Sequence, residues 1–152
     1  MNRIAALVAY GMLAFAGSVN AQSAHDRLAG VKTLACNFTA SVVAAWKNGV
    51  PQAEVKPSQL TMRFESVNTE EGTARVVGTF GPSDIIVRLS GDTLHLLQSF
   101  REGPLYATTV FPKETRPGRF QAVHTRHEWT EVTLPGYTSS PEHYYGDCEV
   151  SP

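Results

Sequence analysis

The chain carries two cysteines, Cys36 and Cys148, which lie 112 positions apart and toward opposite ends of its 152 residues. An even thiol count with no Cys-x-x-Cys spacing reads as one disulfide rather than a redox or metal-binding pair. A disulfide needs its two Cα atoms within roughly 7 Å. The intervening chain must therefore travel out and come back to where it began. That favours architectures in which the first and last elements are neighbours.

A disulfide also implies an oxidising compartment, and the first residues agree. Asn2-Arg3 gives a short positive start, Ile4 to Phe15 is free of charge, and Val19-Asn20-Ala21 ends on a small residue. This is the pattern of a secretory signal, with cleavage expected after Ala21. The apolar run is shorter than the roughly 20 residues of a spanning helix, and no later stretch is apolar enough to replace it. The expected organisation is a cleaved signal over 1–21 and a single all-β domain over 22–152, periplasmic or secreted, with no membrane anchor left after cleavage. The formal net charge is −1. A nucleic-acid-binding domain would normally be basic, so nucleic acid is not an expected partner.

Hydrophobic periodicity sets the fold class. Residues 22–30 are polar and mixed, and read as a loose lead-in. Leu34, Cys36, Phe38 and Ala40 alternate with polar neighbours, the mark of a half-buried strand. Val42 to Trp46 is a second apolar stretch, closed by the turn signal Asn48-Gly49. Two prolines make Val50 to Pro57 an edge or loop. Leu60, Met62 and Phe64 alternate next, then Ala74, Val76 and Phe80, with Gly78 suggesting a bulge. Gly81-Pro82-Ser83 reads as a break. Ile85, Val87 and Leu89 form the following set, and Ser90-Gly91-Asp92 a hairpin. Leu94 and Leu96, then Leu105 to Phe111, then Phe120 to Trp129, complete the middle of the chain. Lys113 to Gly118 reads as a charged loop, 130–142 as an irregular one, and His143 to Val150 as the last strand. No dozen residues after the signal show helical periodicity. The expectation is an antiparallel barrel of about eight strands, up-and-down or lipocalin-like, or else a β-sandwich. In either case a disulfide joins the first and last strands.

Candidate chemistry is sparse. The serines lack a Gly-x-Ser-x-Gly elbow, and no carboxylate pair is set by a local rule. Lys113, Arg116 and Arg119 read as a solvated turn. The densest polar cluster is His124-Thr125-Arg126-His127. On a strand, spacing of three places the two imidazoles on opposite faces, so this motif alone makes no two-histidine metal site. Two registers are open. Either His124 and Arg126 face inward with Phe120 and Ala122, or Val123, Thr125, His127 and Trp129 do. An inward Arg126 would need a partner, for which Glu65, Glu128 and Glu149 are available. Tyr144 and Tyr145 must point to opposite faces.

Three stretches, Phe120 to His127, Leu134-Pro135-Gly136-Tyr137 and Tyr144-Tyr145-Gly146-Asp147-Cys148-Glu149, resemble a group of small exported bacterial proteins of uncharacterised function. The resemblance covers the last third and, loosely, the segment around Cys36. It implies a shared fold and disulfide, and no activity or ligand. The Gly-x-Trp entry of lipocalins is missing, since Ala44-Ala45 precede Trp46. The expected function is that of an exported, non-enzymatic, monomeric barrel binding a small ligand or a protein partner. His124, Arg126, His127, Trp129 and Tyr144 are the candidate binding residues, with no cofactor or metal called for. The alternative is a metal- or haem-binding protein using His124 or His127.

Overall fold

Alternating side chains leave each strand with one apolar face to bury, and here eight strands bury it by curling into a closed ring. The computed structural model describes residues 23–78, 81–101, 103–129 and 140–152. The strands are β1 (Thr33–Lys47), β2 (Val50–Asn68), β3 (Thr73–Gly78), β4 (Gly81–Ser90), β5 (Thr93–Ser99), β6 (Leu105–Arg116), β7 (Arg119–His127) and β8 (Glu142–Ser151). Each pairs antiparallel with the next, and β8 pairs with β1, giving an up-and-down barrel rather than a sandwich. The expected signal over 1–21, Phe80, Glu102 and the Leu134 to Tyr137 stretch lie outside the described residues. Among the described residues no helix is long and apolar enough to cross a membrane.

Cys36 and Cys148 are direct partners in the β1–β8 ladder, with Cα atoms 3.9 Å apart, and are bonded to each other. The bridge thus lies across the seam that closes the ring. Beside it, Gly146 sits opposite Phe38 and Ala122. A Cβ at Gly146 would fall 2.0 Å from the Asn37 carbonyl oxygen and 2.7 Å from the Phe38 Cα. Only glycine lets β8 approach β1 this closely.

The lower barrel is packed solid. Leu34 and Phe38 from β1, Phe64 from β2, Val87 from β4, Leu96 from β5 and Phe120 from β7 are all essentially inaccessible. A short helix, α1 (Ala24–Ala29), closes this end. The loose lead-in expected for residues 22–30 is therefore corrected: the helix is too short for its period to be legible. Its Ser23 cap accepts a hydrogen bond from the Asp26 amide, and Leu28 is driven fully into the barrel. Arg27 pairs with Glu114 and lies 4.7 Å over the Phe120 ring.

Several strand limits differ from the sequence reading. Val42 to Trp46 continues β1 past an irregularity at Thr39, which switches the inward phase from Phe38 to Ser41. Pro51, Pro57 and Pro82 lie within strands instead of breaking them. In the described pairing, β2 meets β3 only from Arg63 onward and β4 meets β5 only from Ile86 onward. Each proline is therefore on an edge, where its missing N–H removes no ladder bond. Lys113 to Arg116 belongs to β6, carried past two register shifts against β7. Gly78 pairs regularly with Gly81. In β2 the irregularity lies at Ser66, whose φ of 53° accompanies a slip against β3.

Two outcomes follow for the seam. Replacing both cysteines by alanine, or reducing the protein, should lower stability by about 4 kcal/mol; identical urea unfolding with and without reductant would contradict this. Gly146→Ala should cost about 3 kcal/mol by forcing β8 off β1, read by the same unfolding curves.

Candidate functional site

The interior changes character along β7. Its inward positions run Phe120, Ala122, His124, Arg126, from apolar at the helix-capped end to cationic at the other. The register with His124 and Arg126 inward is the one adopted. It follows from strict alternation starting at the fully buried Phe120.

His124 is 1% exposed. Its Nδ1 lies 2.9 Å from the Thr108 hydroxyl of β6, and its Nε2 accepts from Arg126 Nε at 3.4 Å. A nitrogen that accepts carries the lone pair, so the proton of the neutral ring sits on Nδ1 and is donated to Thr108. Three aromatic rings surround the imidazole, Phe38, Tyr106 and Tyr144, with centroids 5.8, 6.0 and 5.9 Å away. Burial, reinforced by the Arg126 charge, pushes the His124 pKa down to about 3.

Arg126 is half-buried, and its guanidinium carbon lies 5.4 Å from the Tyr106 ring and 5.2 Å from the Tyr144 ring. Both rings lie within cation–π distance of the guanidinium. Both hydroxyls are tied to carboxylates, Tyr106 to Glu128 at 2.6 Å and Tyr144 to Glu142. Burial, with the hydrogen bond to Glu142 adding to it, pushes the Tyr144 hydroxyl up to about 12. Among the described residues no carboxylate forms an ion pair with Arg126. Of the partners expected from sequence, Glu65 pairs with Arg63, Glu149 with Arg119, and Glu128 serves Tyr106.

This cluster faces a cavity of about 300 Å³. One side is mostly apolar, built from Leu60 and Met62 of β2 and Val76 of β3, with the hydroxyls of Thr61 and Ser83 beside them. The other is polar, built from Gln98 of β5, Tyr106 of β6, and His124 and Arg126 of β7. Arg126 is the one charged side chain among the described residues lining it. The arrangement offers a small amphiphilic volume with a fixed cation at one side.

Of the candidate residues, His124, Arg126 and Tyr144 come together. His127 and Trp129 do not. His127 is exposed on the outer wall, where its ring meets that of His143 at 6.0 Å, and Trp129 is 67% exposed beyond the end of β7. Among the described residues no three His, Cys, Asp or Glu side chains converge as metal ligands. Sequence reasoning missed Tyr106, Thr108, Gln98 and the apolar wall. Phase could have found two of them, because Tyr106 and Thr108 lie in step with the core residue Val110.

Folding holds His124 neutral, while an unfolded histidine takes up a proton near 6.5. The unfolded chain therefore binds the extra proton between that value and about 3, so stability must fall as pH drops through this window. Glu114, held low by its hydrogen bond from Arg27, adds to this loss only once pH falls below its ordinary 4.5. Asp147, where burial opposes but hydrogen bonds from Arg119 and Thr115 outweigh it, does so only at more acidic pH. Between pH 7 and pH 5 the wild type should lose about 2 kcal/mol that His124→Gln does not lose. Urea unfolding of both proteins at the two pH values measures the difference.

The chain matches no protein-family model, no curated protein and no solved structure, so the reading of this site rests on its own geometry.

Proposed function

We propose that the chain is an exported, non-enzymatic binding protein that takes a small organic ligand into the polar end of its barrel. The cavity between the Leu60–Met62–Val76 wall and the Tyr106–His124–Arg126 wall carries this reading. Its volume lies at the lower end of the range for small-molecule sites, and its mix of apolar lining with a few fixed polar groups is typical of them.

Binding rather than catalysis is supported by how the polar groups are used. His124 is the natural general base, yet both its nitrogens are engaged within the wall. The two tyrosine hydroxyls are likewise committed to Glu128 and Glu142. The imidazole lone pair and the two hydroxyl protons are thus taken up inside the wall, which leaves these groups to shape and orient rather than to move a proton. The outer wall supports a life in water. Arg63, Arg75, Asp84 and Arg88 stand exposed on it while apolar residues fill the interior, the reverse of a transmembrane barrel. The disulfide fits an exported protein.

The test is a methyl NMR screen with a diverse set of small organic compounds. Compounds that bind should shift the Leu60, Met62 and Val76 methyl signals, and Met62→Trp, which fills the cavity, should abolish those shifts. A set that leaves these methyls unmoved would overturn the reading, as would full binding by Met62→Trp.

A further inference from the structure

Arg126 is held in an unusual way for a half-buried cation. Its Nε donates to His124, and its guanidinium carbon lies over the rings of Tyr106 and Tyr144, 5.4 and 5.2 Å from their centroids. That leaves the two terminal nitrogens, and among the described residues no carboxylate takes them in an ion pair. A guanidinium presents these nitrogens as a planar fork matched to a carboxylate, and the two-pronged pair is both stronger and more directional than a single contact. Glu142 lies directly across the ladder from Arg126, but its carboxylate takes the Tyr144 hydroxyl and makes no ion pair with the guanidinium, so a ligand carboxylate would meet a fork with no ion-pair partner.

We propose that the ligand is an organic monocarboxylate, whose carboxylate is held by the terminal nitrogens of Arg126 and whose apolar body lies on Leu60, Met62 and Val76. This rests on the binding reading above and adds the ligand's class to it. Opposite walls set the polarity of the molecule, a charged head on the β7 side and a hydrocarbon body on the β2–β3 side. Charge limits the head to a monoanion. A single guanidinium lines the cavity and can balance one negative charge, and Glu128 and Glu142 behind the two tyrosines repel a dianion such as a phosphate monoester about twice as strongly as a monoanion. Size limits the body. At a water-like share of roughly 30 Å³ per non-hydrogen atom, the 300 Å³ cavity takes about ten such atoms. Octanoate has that size and shape.

His124 has a specific part in this arrangement. A protonated imidazole could not accept from Arg126 Nε, and the fork would lose the contact that aims it. His124 is therefore a positioning residue, acting on the ligand through Arg126. The two tyrosine rings hold the guanidinium by cation–π attraction, and the imidazole takes its Nε hydrogen.

The test titrates octanoate, 1-octanol, octylamine and octyl phosphate into the full mature protein, following the Leu60, Met62 and Val76 methyl signals. Octanoate should bind about ten- to a hundredfold more tightly than octanol, the range a charge-assisted hydrogen bond supplies, with octylamine and octyl phosphate weaker than octanoate. Arg126→Gln should erase the preference for octanoate while leaving octanol affinity unchanged. Arg126→Lys keeps the charge without the fork and should restore only part of the preference. Should Arg126→Gln fail to fold, the ranking on the wild type and the partial rescue by Arg126→Lys still decide the matter. Octanol binding as well as octanoate, or octylamine or octyl phosphate binding best, would overturn the carboxylate assignment and leave the cavity reading standing. No methyl shift with any of the four probes would count against both.

Discussion

Between Cys36 and Cys148 the first and last strands are joined twice, by ladder hydrogen bonds and by a sulfur–sulfur bond. An up-and-down sheet of eight strands has two exposed edges until these strands meet, and each edge is a row of unpaired donors and acceptors. Closure removes both edges at once and forces every inward side chain to face every other. The apolar lower core, the buried imidazole and the cavity all depend on it, because an open sheet would leave them facing water. Gly146 shows how tight the join is, since even a methyl group there would collide with the β1 backbone.

Inside the closed ring, depth decides which chemistry is affordable. Near α1 the interior is hydrocarbon, and burial there supplies the folding free energy at about 25 cal/mol per Å² of apolar surface. Toward the other end the same inward phase delivers Thr108, His124, Arg126 and Tyr144. Each of these groups must find partners or cost stability. They do so across three adjacent strands, β6, β7 and β8, and among the described residues no buried side-chain nitrogen or oxygen lacks a partner. The fully buried part of the polar wall is therefore satisfied within the fold, while half-buried Arg126 keeps terminal donors outside any ion pair.

Alternation, turn residues and the cysteine spacing carried the strand number, the closed sheet and the disulfide. The register of β7 was not legible, and the reason is physical. Its outward face carries Val123 and Thr125, less polar than the inward Ala122 and His124, and Val123 lies beside the exposed Tyr145 and Phe111 on the outer wall. Only the complete burial of Phe120 fixes the phase. Prolines misled the strand limits at positions 51, 57 and 82, because a sequence does not show which strands lack a second neighbour over part of their length. The site was half legible. His124, Arg126 and Tyr144 lie close in sequence to recognisable features. Tyr106, Gln98 and Met62 come from strands whose closeness to β7 exists only once the ring is shut.

The position of Arg126 follows from what a guanidinium tolerates. It is weakly hydrated for a cation and has flat faces, so two tyrosine rings can replace much of its water at little cost. Lysine in the same place would keep a strongly hydrated ammonium with no face to stack, and it would have no Nε donor for His124. The imidazole in turn accepts that donor only while neutral, which burial among Phe38, Tyr106 and Tyr144 ensures. Aromatic rings, imidazole and guanidinium thus depend on one another in sequence, and the arrangement ends on the two terminal nitrogens, which no carboxylate among the described residues takes in an ion pair.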